Sequence, residues 1–314
     1  MERPEIEPLK IGEIVVKPSL VVAPMAGVTD YPFRQILYNM GCSLLFTEMV
    51  SAKGLVYGSK KTEELLENAS KEYIGVQIFG HEPGIMAEAA GYIEEKYSFD
   101  VLDINMGCPA PKIVKNGSGA ALMKTPETVA EIISRVVEVV DIPVTAKMRA
   151  GWDENSVNAV EIAELICESG GKAVTVHGRT REQFYSGKAD REIICRVAGQ
   201  VDIPVIGNGD IFKPGDAGKM LAETGCSGIM VARGVRGNPW LVRRTINYLK
   251  SDDISPEPDF NERLELAIEH LRLSVEHFGE EIAVSRMRKH LTWYIKGLPY
   301  ASEKKEQINR LKSF

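Results

Sequence analysis

The stretch Val101-Leu102-Asp103-Ile104-Asn105-Met106-Gly107-Cys108-Pro109-Ala110-Pro111 decides how the chain is read. Its first six residues are largely branched or long apolar side chains, as in a strand covered on both faces. The strand then gives way to a loop whose path two prolines restrict, with Gly107 allowing close backbone approach. The same pattern, apolar along the strand and polar or glycine-rich at its end, recurs at 19–24, 44–49, 74–79, 144–148, 173–177, 204–208 and 228–232. With 101–106 the count reaches eight. Between the strands, 30–40, 60–68, 83–97, 126–140, 154–169, 190–200, 213–224 and 237–249 read as helices. Thr125-Pro126-Glu127 and Lys213-Pro214 carry helix-start chemistry.

Eight strand–helix units spanning 19–249 predict an α/β fold, a (β/α)8 TIM barrel; a doubly wound open sheet is the rival. Polar groups at the strand ends favour the barrel. Met25, Glu48, Gln77, Asn105, Lys147, His177, Asn208 and Arg233 would converge on one mouth. In an open sheet only those near a switch point would meet. Residues 10–19 alternate around Gly12-Glu13 and predict a hairpin at the barrel bottom. The acidic, proline-containing 251–261 reads as a linker, followed by helices at 262–278, 280–296 and 302–313. Leu264, Ala267, Ile268, Leu271 and Val275 form one stripe on the first of these. A catalytic domain over 1–250 and a helical domain over 251–314 are expected.

Composition narrows the function. No apolar run is long enough to cross a bilayer, and the opening residues lack the basic and apolar regions of a signal peptide, so a cytoplasmic protein with no membrane partner is expected. The five cysteines are widely spaced, with no CxxC pair to suggest a disulfide framework or a metal cluster. Of the five histidines only His177 falls at a strand end, so no metal site is expected. The net charge of −6 argues against a DNA partner, but 285–314 holds eight Lys/Arg against two Glu, leaving −12 on the rest. An acidic body with one basic face results.

Cys108 sits where it can act on a ligand over the mouth, as nucleophile or general acid; a structural thiol is the plainer alternative. Lys147 implies an anion or an electron-rich ring such as a flavin, unless it pairs with Glu48 or Asp103. Gly207-Asn208-Gly209-Asp210 and Ala232-Arg233-Gly234 follow strands seven and eight, where this fold commonly holds a phosphate. Neither a Rossmann fingerprint nor a Walker A sequence is present.

Taken together, Val22-Ala23-Pro24-Met25-Ala26-Gly27-Val28-Thr29-Asp30, Thr47-Glu48-Met49, Val76-Gln77, Asp103 to Pro109, Lys147-Met148-Arg149, His177-Gly178-Arg179-Thr180 and Gly207 to Asp210 resemble the tRNA-dihydrouridine synthase family, closest in appearance to its bacterial B-type branch. The ordered combination is specific; a lone GCP or NGD would not be. The resemblance implies FMN as cofactor, NADPH or NADH as electron donor and tRNA as substrate. It implies that Pro24, Met25 and Ala26 pass along the flavin ring. Gln77, Lys147 and His177 would contact the isoalloxazine or ribityl portion, and Asn208, Gly209, Asp210, Ala232 and Arg233 the phosphate end. Hydride would pass from flavin N5 to uracil C6, with Cys108 giving the proton to C5. Asn105, Arg149 and Arg179 would contact the uridine, and Arg286, Arg288 and Lys289 the tRNA phosphates, beside His290 and Lys296. Trp293 and Tyr294 read as anchors of the tail before they read as stacking platforms. A monomer is expected. The rivals are an FMN barrel acting on a small molecule, which would not need the basic tail, a non-catalytic tRNA-binding protein, and a lyase using Lys147 as a Schiff base.

Overall fold

The structure is a computed structural model that describes residues 7–67, 73–251 and 254–313. A two-stranded antiparallel hairpin, β1 (Leu9–Ile11) and β2 (Ile14–Val16), precedes the barrel strands. These are β3 (Leu20–Val22), β4 (Leu44–Ser51), β5 (Tyr73–Phe79), β6 (Val101–Met106), β7 (Val144–Arg149), β8 (Ala173–His177), β9 (Val205–Asn208) and β10 (Gly228–Val231). They form one eight-stranded sheet in the order β3-β10-β9-β8-β7-β6-β5-β4, and every paired neighbour is parallel. β3 and β4 also touch, but no ladder joins them among the described residues. This is a TIM-type barrel with one seam.

Alternation explains the two apolar clusters. Val21, Leu44, Phe46, Val101, Ala173, Ile206 and Met230 point into the barrel, where they pack against Leu9, Ile11, Ile14 and Val16 of the hairpin. The hairpin therefore closes the bottom, as its alternating sequence predicts. Leu9, Ile11 and Val16 have no exposed surface, so truncating one should destabilise the barrel by about 2–5 kcal/mol. The opposite faces of the strands, with Val22, Val76, Leu102, Ile104 and Met148, pack under the helices. Gly75 has no side chain because a Cβ there would lie 2.4 Å from the Phe46 ring.

Strand ends agree with the sequence reading to within two residues; helix starts shift where local chemistry competes. The helix expected from 154 begins at Ala159. Asp153 accepts hydrogen bonds from Asn155 N and Ser156 Oγ, holding that segment as a turn. The helix expected over 60–68 is Lys60–Glu63 followed by a 3-10 turn at Glu64–Leu66, and residue 68 lies outside the described residues. Of the expected linker, 252 and 253 also lie outside them, while 254–259 is irregular.

The tail comprises helices Phe260–Phe278, Glu280–Tyr294 and Ala301–Asn309. Asp259 and Glu262 form a reciprocal capping box at the start of the first. Leu271, Val284 and Met287 join the first two helices, and the first also packs on helix Tyr31–Asn39 of the barrel. At that junction Phe33 stacks on His270 with centroids 5.2 Å apart, and the His270 and His290 rings lie 4.6 Å apart. His290 is thus not among the exposed cations of the tail: it is 1% exposed, and burial holds its pKa well below the ordinary value, so it is neutral. Tyr294 is also buried, and Trp293 packs on the main core, which fits their expected anchoring role. His277 stacks on Tyr31, so the two tail histidines of the first helix are packing residues. Among the described residues no helix is long and apolar enough to cross a membrane.

Candidate functional site

The strand ends converge on one cavity of about 500 Å³ at the barrel mouth. Pro24, Met25 and Ala26 after β3 line one side of it, and Asn105 and Cys108 at the end of β6 another. Lys147, Arg149 and His177 come from β7 and β8. Asn208, Gly209 and Asp210 follow β9, and Ala232 and Arg233 follow β10. Residues separated by more than two hundred positions in sequence thus share one site, because each is the inward residue where its strand stops.

Beneath the cavity a chain of hydrogen bonds crosses three strands. Thr145 Oγ1 and Gln77 Nε2 each donate to the Asp103 carboxylate at 2.7 Å. Asn105 Nδ2 donates to Gln77 Oε1 at 2.8 Å. Asn105 Oδ1 then accepts from the Gly107 and Cys108 amides at 3.2 and 2.9 Å. The Cys108 loop is fixed from two further directions. Arg149 Nε donates to Gly107 O at 2.8 Å, and Ala120 N to Cys108 O at 3.0 Å. The segment after Cys108 therefore folds back on it through Gly119, whose φ is +62°.

Burial decides the charge states. It pushes the half-buried Cys108 thiol above its ordinary value, which a hydrogen bond at Ala110 and the charges of Arg149 and Lys147 offset only in part. At neutral pH the group is an S–H. Burial, with help from Arg149, lowers Lys147 to about 8. Its ammonium donates to Asn208 Oδ1 at 3.1 Å, and the Asp103 carboxylate attracts it without a direct ion pair among the described residues. Burial and four neighbouring cations hold His177 neutral.

The β9 and β10 ends form a backbone cradle. Gly209 (φ +133°) and Asp210 (φ +51°) are consecutive residues of positive φ, where the chain turns sharply out of β9. Gly209 is required twice over: a Cβ there would lie 2.5 Å from that of Ala189. Gly234 is similarly confined, its Cβ position 2.3 Å from Ile211 O. The Asp210 carboxylate does not face an anion directly. It accepts from Arg179 at 2.7 Å, Ala189 N at 2.8 Å and Arg233 at 3.2 Å. Burial opposes its ionisation, but these donors outweigh it and hold its pKa below the ordinary value.

Some expected site residues lie elsewhere. Gln77 is fully buried one layer below the cavity lining. Arg179 is 1% exposed and commits its guanidinium to Ser186 O, Gly187 O and Asp210, so it shapes the 181–190 loop. In the tail, Arg286 lies over the Phe278 ring at 4.0 Å and Arg288 donates to Leu311 O at 2.6 Å. Lys289 is half-buried and faces Asp30 and Glu48. Conversely, sequence reading missed Tyr185, which lines the mouth with Arg233 4.4 Å and Arg149 5.6 Å from its ring. Its loop has no strand or helix periodicity, so nothing in the sequence aimed it there. Among the described residues no cluster of metal-binding side chains occurs.

Fold and site together define a barrel with a protonated thiol, a lysine of depressed pKa and glycine-rich turns around one cavity. The family model for dihydrouridine synthase (Dus) matches residues 21–313. A probable tRNA-dihydrouridine synthase of Rickettsia conorii is 41% identical over 305 residues, covering 96% of this chain and 91% of that protein. One from Rickettsia bellii is 40% identical, covering 96% and 93%. The tRNA-dihydrouridine synthase B of Pseudomonas aeruginosa is 40% identical, covering 96% and 91%. The chain belongs to the dihydrouridine synthase family and is an oxidoreductase.

Proposed function

We propose that this chain reduces specific uridines of tRNA to 5,6-dihydrouridine, with FMN as resident cofactor and NADPH or NADH as electron donor. The observation that carries the reading is the Cys108 thiol, kept protonated at the mouth of a cavity whose other walls hold Lys147 and a glycine-rich cradle. Three features fit FMN. The cradle at Gly209, Asp210, Ala232 and Arg233 suits a phosphate. Lys147, half-buried at the cavity wall with its pKa lowered by burial, suits an electron-rich ring edge. Pro24, Met25 and Ala26 offer an apolar wall, while Gln77 and His177 add polar groups at the floor and rim. When bound, FMN supplies the two-electron reducing equivalent, received from the nicotinamide donor, that adds at C6 of the uracil ring.

The chain's own work is to hold the ring and deliver a proton. Cys108 holds its proton for C5: the S–H bond breaks, a C5–H bond forms, and the thiolate left behind is reprotonated from water. A thiol with a raised pKa suits an acid, whereas a thiolate would suit a nucleophile. Arg149 keeps the loop in place through Gly107 O and, with Asn105, meets the uracil; Arg179 supports these contacts through the 181–190 loop. The barrel of 1–250 performs catalysis and the helices of 251–314 dock the tRNA. Arg286, Arg288 and Lys289, each half-buried, supply phosphate contacts on the basic face.

The test incubates the protein with FMN, NADPH and unmodified tRNA, then seeks a gain of two hydrogens on uridine by mass spectrometry. Cys108→Ala should retain FMN and lose turnover by roughly 10²–10⁴-fold. No mass gain in a protein whose flavin NADPH reduces would point to a small-molecule substrate. Failure to bind flavin would remove the cofactor assignment.

A further inference from the structure

The hydrogen-bond chain below the cavity has a direction. Its lower end is Asp103, 2% exposed, whose two carboxylate oxygens each accept a hydrogen bond, from Thr145 Oγ1 and from Gln77 Nε2. Its upper end is the pair of amides of Gly107 and Cys108, which can only donate. Two side-chain amides, Gln77 and Asn105, stand between them. An amide can be turned either way, and its orientation follows from its partners. With an acceptor at one end and donors at the other, one arrangement satisfies every contact. Gln77 must offer N–H to Asp103, so its oxygen faces Asn105. Asn105 must then offer N–H to Gln77, which leaves its oxygen for the loop amides. Reversing either amide would set N–H against N–H or oxygen against oxygen in a buried site, where an unmade hydrogen bond is expensive.

We propose that Asp103 is a positioning residue: through Gln77 and Asn105 it fixes the hydrogen-bond sense of the cavity floor and thereby clamps the Cys108 loop. Asn105 Oδ1 is used by two amides, so the side chain offers the cavity only its remaining N–H. The floor therefore favours a ring carbonyl over a ring amine. The loop clamp is a property of the protein alone. Its catalytic consequence rests on the assignment of Cys108 as the acid.

Replacement of Asp103 by Asn keeps the shape but removes the charge and exchanges one of the two acceptor oxygens for an N–H donor, so the site no longer accepts from both Gln77 and Thr145. Thr145→Val strips the carboxylate of one of its two donors from a position outside the cavity lining, and Thr145→Ser restores a hydroxyl. The measurement is the rate of Cys108 alkylation by iodoacetamide in the full chain, resolved by peptide mass spectrometry. Cys167, on an outer helix, is the internal standard. Asp103→Asn should raise the Cys108 rate about tenfold relative to Cys167, as loss of a hydrogen bond to a charged group implies. Thr145→Val should move it in the same direction, and Thr145→Ser should return it towards wild type. In uridine reduction, Asp103→Asn should lower kcat about tenfold at unchanged KM for tRNA. A folded Asp103→Asn protein with wild-type Cys108 alkylation overturns the proposal. If that variant does not fold, equal rates in the two Thr145 variants overturn it. Altered alkylation in a protein whose wild type reduces no uridine would sustain the clamp and remove the catalytic assignment instead.

Discussion

At the residue scale, burial does more than charge to set the chemistry. Cys108 has Arg149 and Lys147 nearby, which alone would favour a thiolate, yet desolvation wins and the proton stays. Alkylation of Cys108 measured between pH 6 and pH 10 should therefore give an inflection above the ordinary thiol value. A midpoint below pH 7 would identify a nucleophile. Lys147 responds in the opposite sense. Its free-state value of about 8 leaves it partly neutral near pH 8, and an anionic or electron-rich ligand would favour the charged form. Binding of FMN should take up about half a proton at pH 8 and close to one at pH 9. Calorimetry in buffers of different ionisation heat would show it, and Lys147→Met should abolish it. The cavity positions of Lys147, His177 and Asn208 were legible because each is the last inward residue of an apolar run. The orientation of Gln77 was not: its side-chain partners lie 26 and 28 residues away, both on the neighbouring strand β6. The burial of Arg179 was not legible for a related reason. It follows His177 in a polar turn, and only the return of the chain at Ser186, Gly187 and Asp210 encloses it.

At the scale of elements, the barrel strands could be read because a strand buried on both faces announces itself as an uninterrupted apolar run. The tail shows where periodicity was available and overlooked. Ala283, Met287, His290 and Tyr294 follow one another at spacings of four, three and four, the buried stripe of helix Glu280–Tyr294. His290 therefore belongs with its apolar neighbours, whereas Arg286, Arg288 and Lys289 flank the stripe. The close fit of this helix to the barrel gives a sharp prediction. Gly237 has φ +67°, and a Cβ there would stand 2.4 Å from the carbonyl carbon of Trp293. Gly237→Ala should destabilise the protein by about 1–3 kcal/mol, read as a lower melting temperature. An unchanged melting temperature would mean that the helix end yields without resistance.

At the scale of the whole molecule, charge is segregated: 285–314 carries an excess of six positive charges on a chain of net −6. Such a body repels polyanions except where the basic face meets them, so orientation is selected before contact. Replacing both Arg286 and Arg288 by Ala should weaken tRNA binding and reduce the slope of log affinity against log salt by about two. An unchanged slope would place the phosphate contacts elsewhere. The seam between β3 and β4 bears on mechanics as well as topology. Among the described residues the ring is joined by a strand ladder at every joint but this one, where side chains do the bridging: Glu48 accepts from Gly27 N, and Cys42 Sγ contacts Leu20 O at 3.9 Å. Helix Tyr31–Asn39 connects β3 to β4 in the chain, and the first tail helix packs on that helix. The last part of the chain thus packs on the helix that links the two seam strands. Amides of β3 and β4 should exchange with solvent sooner than those of β6 and β7, and sooner still when that packing is loosened by Tyr294→Ala. A nucleic acid gripping the tail would then stiffen the mouth from outside, without touching the cavity at all.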